Sequence, residues 1–76
     1  MSSQKEKLLD ALDEALYAEE ELISLYSKFL KKTLEKNEDL SPQIKEKIKK
    51  IVFILYQDSL WHKKAISNIL KEIKYG

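Results

Sequence analysis

The chain has 76 residues, with 14 lysines against 13 acids, one histidine, no arginine and no cysteine. That length holds one domain, which at this size buries only a modest fraction of its surface. Without cysteine there are no disulfides, thiolate zinc sites or thiol catalysis, so extra stability must come from assembly or from a carboxylate and imidazole metal site. The near-cancelling charge and the lack of arginine argue against a nucleic-acid partner. Residues 1–7 lack the apolar stretch of a secretory signal, and the longest apolar run, residues 51–56, is too short to span a bilayer. The expectation is a cytoplasmic protein with no membrane partner.

From the N-terminus, the first helix is predicted over about residues 3–37. Ser3 can cap it while Glu6, three residues on, returns the bond as in a capping box. Its acidic start (Glu6, Asp10, Asp13, Glu14) and basic end (Lys28, Lys31, Lys32, Lys36) complement the helix dipole. Asn37 to Pro42 is the one punctuation mark, with the turn at 38–41. The second helix is predicted over about 42–75, with Ser41 as cap and Pro42 at the first helical position, where a missing N–H costs nothing. Residues 51–56 are β-branched and aromatic enough for a strand, but helical periodicity continues on both sides and no turn residue bounds them. As helix, that run is apolar all round. Rods of roughly 50 Å must fold back on each other, and a single neighbour covers one side only. The fold class read from the sequence is therefore an all-α antiparallel two-helix hairpin, a single domain over 1–76, that dimerises into a four-helix bundle or joins a higher homo-oligomer.

Two stripes advance by steps of four and three. The first reads Leu8, Leu12, Ala15, Glu19, Leu22, Tyr26, Phe29, and the second Ile44, Ile48, Ile51, Leu55, Asp58, His62, Ala65, Ile69. Glu19, Asp58 and His62 are the charged or titratable interruptions. Taking such groups out of water is costly unless a partner, a proton shift or a metal compensates them. A reversal near residues 39 and 40 makes positions level when their numbers add to about 79 or 80, which sets Glu19 between Asp58 and His62. Neighbouring axes lie about 8 to 10 Å apart, so the three groups can share a point. A two-fold axis at this level doubles the set, giving ligands suited to one or two divalent ions of iron, manganese or zinc.

Residues 15–26, with Glu19 followed two turns later by Tyr26 and preceded one turn earlier by Ala15, resemble the first ligand helix of the ferritin-like and rubrerythrin superfamily. Residues 58–66 are similar to its second ligand helix, which carries Glu-x-x-His. Here the position three before His62 is Ser59, and Asp58, four before, is the nearest carboxylate. Some members, the encapsulated ferritins among them, are single hairpins that complete the bundle by dimerising. The resemblance implies a ferritin-like four-helix bundle, Glu19 as a terminal or bridging carboxylate, His62 as the imidazole ligand, and iron oxidation or peroxide reduction at an intersubunit site.

A second reading stays open. Glu19, Asp58 and His62 can form a buried hydrogen-bonded cluster that fixes register in a non-catalytic helical oligomer or adaptor, as single polar residues do in coiled coils. Glu20 becomes the ligand instead of Glu19 if the first helix is rotated modestly. Tyr26 is a candidate donor or redox-active phenol near the site, and Trp61, beside His62, either lines a pocket or packs at an interface. Eight lysines and four acids gather between residues 28 and 50, around the turn, and such a run is usually a solvated face. No catalytic residue is assigned. The glycine-rich phosphate loop has no counterpart either, since Gly76 is the single glycine.

Overall fold

The computed structural model describes residues 3–76. Helix α1 (Gln4–Lys28) runs into a π-helical turn (Phe29–Thr33) and then a short α2 (Leu34–Lys36); α3 (Pro42–Tyr75) forms the second rod. No strand occurs among the described residues, and residues 51–56 are helix, as their flanks predict. The Ser3 hydroxyl accepts the Glu6 N–H at 3.1 Å and the Ser41 hydroxyl accepts that of Ile44 at 3.3 Å. Both caps are thus where side-chain oxygens can satisfy orphan N–H groups. Between the rods Asn37 leaves helical geometry at ψ 115°. Its side-chain oxygen accepts the Asp39 N–H at 2.9 Å, an Asx turn that reverses the chain.

The rods lie antiparallel in a hairpin 56 Å long and 14 Å across its thinnest dimension. Glu19 of α1 meets His62 of α3, and nearer the turn Leu25, Tyr26 and Phe29 line one groove with Val52. This register is about one residue from the one expected from the turn's centre. No helix among the described residues is long and apolar enough to cross a membrane.

The seam itself differs from the expected stripes. On the first rod, Leu12, Glu19, Tyr26 and Phe29 are partly covered as predicted, but Leu8, Ala15 and Leu22 are exposed while Leu9, Leu16, Ile23 and Leu30 turn inward. On α3, Ile48 and Ala65 are partly covered as predicted, but the inward row runs from Ile48 through Val52, Ser59, Ile66 and Leu70, and Ile44, Ile51, Leu55, Asp58, His62 and Ile69 are exposed. The reason is geometric. A helix with one neighbour points only a narrow row at it, and the small Ser59 side chain, 5% exposed, lets the backbones approach where a larger residue would hold them apart. Ile51, Leu55 and Ile69 then stand on the flank of that row.

Leu34 near the turn and Leu70 near the open end are the buried hydrophobic residues. The accessible surface is 6265 Å² for a 9.0 kDa chain. A compact monomer of that mass exposes about 4,900 Å², so the hairpin carries roughly 1,400 Å² beyond it.

Ser59 carries a direct test of this packing. Ser59→Leu is expected to cost about 1 to 3 kcal/mol by overpacking the crossing, whereas Ser59→Ala should change stability far less. Urea titration of the two variants followed by far-UV circular dichroism measures the difference.

Candidate functional site

Glu19 lies near the middle of α1 with its side chain in the seam, 18% exposed. Its Oε1 stands 3.4 Å from Nδ1 of His62, whose ring is 55% exposed. The contact is an ion pair only while the imidazole is protonated. The other oxygen, Oε2, is buried and has no hydrogen-bond partner. A carboxylate oxygen held out of water without a donor is costly, so the hairpin alone leaves this group incompletely compensated.

The next residue along α1 goes the other way. Glu20 points to the opposite flank of the seam, where its carboxylate stands 3.8 Å from the Lys63 ammonium with both side chains about half exposed. Consecutive residues on a helix diverge by about 100°, so Glu19 and Glu20 cannot both face the seam, and it is Glu19 that does. Glu21 lies further round. By hydrogen bonding and by its charge it raises the pKa of the Tyr17 phenol, one turn earlier, above the ordinary value.

Of the three expected ligands, the hairpin therefore brings two together. Asp58 is exposed, one turn before His62 on the same flank of α3, and among the described residues no group of three or more His, Asp or Glu side chains is close enough to hold a metal ion. The expected three-residue set is not assembled within one chain, because α3 turns Ser59 rather than Asp58 into the seam. Tyr26 is half-buried two turns toward the turn end, lining a groove of about 220 Å³ with Leu25, Phe29 and Val52. Trp61 is 65% exposed, and helical spacing sets it on the outer side of α3.

Helical periodicity also shows where His62 and Asp58 look. Their flank of α3 carries Ile44, Ile51, Leu55 and Ile69, and the flank of α1 on the same side of the hairpin carries Leu8, Ala15, Leu22 and Leu25. Together these make one broad apolar face with an aspartate and a histidine at its middle and Glu19 just beneath. The unexplained π-helical turn was not legible in the sequence: the Leu34 N–H reaches the Phe29 carbonyl in place of the usual Leu30 partner, and Lys31, Lys32 and Thr33 carry no pattern that announces it. Comparison with protein-family models, curated proteins and solved structures returns no match.

The cost of Glu19 can be measured. Glu19→Leu is expected to raise the stability of metal-free protein by about 1 kcal/mol, since it removes a buried carboxylate oxygen that has no donor and leaves behind only the half-exposed His62 ring. Glu20→Gln should move it by less than about 0.5 kcal/mol. Paired thermal melts in chelator at one protein concentration give both values.

Proposed function

We propose that the protein is a metal-binding, ferritin-like helical protein whose hairpin dimerises through the broad apolar face into a four-helix bundle. Its ligands are Glu19 and His62, with Asp58 joining them once the face is covered. Two observations support the assembly. The surface in excess of a compact monomer, roughly 1,400 Å², is more than the about 800 Å² that each partner buries in a standard interface. Exposed Leu8, Leu22, Ile44, Ile51, Leu55 and Ile69 also share one side of the hairpin, while Tyr17, Phe53, Leu60 and Trp61 are exposed elsewhere.

The observation that carries the metal reading is the Glu19 carboxylate. One oxygen faces the His62 imidazole at 3.4 Å and the other is enclosed with nothing to bond. A divalent cation is a partner that such a pair fits: imidazole nitrogen and carboxylate oxygen suit zinc, manganese and iron alike. Glu19 and His62 would hold the ion from two helices, and Asp58 would add a second negative charge. When bound, iron or manganese supplies electron exchange with oxygen species, the chemistry the family resemblance implies. The chain's own contribution is to hold Glu19 in the seam and, with the apolar face covered by a second copy, to exclude water with the surrounding leucines and isoleucines.

The Glu19–His62 contact at 3.4 Å equally favours a second reading, in which these residues, once covered, form a dry cluster that fixes register in a non-catalytic oligomer or adaptor. The two separate cleanly. Metal analysis of protein purified without chelator should find iron, manganese or zinc in the wild type and little in His62→Ala. A chelator should lower the melting temperature of the wild type, a site at 100-fold excess of metal over Kd being worth about 2.7 kcal/mol. Equal, near-zero metal in both proteins, with a melt indifferent to chelator and to Glu19→Gln, would leave the register cluster as the function of these residues.

A further inference from the structure

The apolar face is arranged so that it matches itself when turned over. On α3, Ile51 and Ile69, Leu55 and Ala65, and Asp58 and His62 are spaced symmetrically about Leu60. On α1, Ala11 and Phe29, Ala15 and Leu25, and Ala18 and Leu22 are spaced symmetrically about Glu20. Leu60 and Glu20 lie within one helical turn of the same height, as the Glu20–Lys63 contact shows. One axis can therefore serve both stripes.

We propose that two copies stack through this face with their turns at opposite ends, so that α3 lies antiparallel on α3, α1 on α1, and Asp58 of each copy meets the partner's His62. The proposal rests on the dimer reading above and goes beyond it in fixing how the copies are oriented and which chain supplies the aspartate.

Three independent features select this orientation over the one with both turns at the same end. The first is volume. Turned end for end, each alanine of α1 lies against a leucine or phenylalanine of the partner, and Leu55 lies against an alanine, so small residues fill against large ones as packed interiors require. With the turns together, α1 would lie on the partner's α3 in about the register seen within the chain. Ala15 would then meet Ala65, and Leu25 would meet Leu55, so on these stripes small residues would face small and large would face large.

Charge is the second. Residues 28–50 hold eight lysines and four acids, a local excess of four positive charges, while the whole chain is only +1. Turns at one end bring two such tips together. End for end, the basic end of α1, with Lys28, Lys31 and Lys32, lies instead beside the partner's acidic start, with Asp10, Asp13 and Glu14. Opposite charges in register favour one docking over another even where they add little affinity.

The third is the polar pair. Asp58 and His62 are one turn apart on one flank and cannot reach across their own axis to Glu19 together. In the end-for-end stack each histidine gains a carboxylate from the other chain, on the side away from its own Glu19. The symmetric site then has two Glu–His–Asp sets, each drawn from both copies.

The absence of cysteine makes the test direct. A nitroxide attached at Asp39→Cys, whose exposed side chain takes no part in the turn's hydrogen bond, reports the distance between the two turns by pulsed electron paramagnetic resonance. Opposite ends predict a separation close to the 56 Å length of the rod. A separation under about 20 Å, set by neighbouring helix axes, overturns the orientation while keeping the dimer. No dipolar modulation, with a monomer mass in solution, overturns the dimer reading itself. As a second measurement, mixing Ile51→Cys and Ile69→Cys proteins under oxidising conditions should give an interchain disulfide that neither forms alone. Cross-linking instead in a mixture of Leu25→Cys and Leu55→Cys would again place the turns together.

Discussion

A pair of helices has one seam, and one seam can cover one stripe on each rod. This chain carries apolar residues well beyond those stripes: among the described residues only Leu34 and Leu70 are buried hydrophobics, while Ile44, Ile51, Leu55 and Ile69 are left on a single flank. Hydrophobic burial is the main favourable term in folding and in association alike. The same surplus that leaves the hairpin poorly covered therefore gives it a strong reason to find a second copy. Asp58 and His62 sit in the middle of that surplus, so whatever covers it also encloses them.

Secondary structure was open to sequence reading because each signal is local. Ser3, Asn37 and Ser41 mark ends through bonds made within four residues, which the structure shows, and Pro42 marks one by lacking an N–H at the first helical position. Antiparallel register followed from the turn's position to within about one residue. The facing of α3 did not, and the reason is physical. Periodicity gives the centre of the whole apolar arc, Ile44 through Ile69, and in a bundle that arc faces the space between two neighbours. With one neighbour present, the helix turns an edge of the arc, Ile48, Val52, Ser59, Ile66 and Leu70, toward it. The expected stripe and the observed seam differ by a rotation, and the expected stripe lies where a second hairpin has room to dock.

The polar level shows the same division. Glu19 could be identified as an inward group because a carboxylate in a leucine row is conspicuous, and it lies 3.4 Å from the expected histidine. Asp58 could not be placed by spacing alone, since whether it or Ser59 enters the seam depends on how closely the rods approach. Serine wins on size. The aspartate is left on the outward flank beside the histidine.

The wide turn at Phe29–Thr33 lies where the first rod enters the lysine-bearing tip. It accommodates about one residue more than an α-helical turn does. Slack of that kind makes it a natural splice point: shortening the chain there by a single position would tighten the coil locally and leave the height of Glu19 against His62 unchanged. Tip and centre are in this sense separate cassettes, and insertions or deletions during divergence could alter what the loop end touches while sparing the acid and imidazole in the middle.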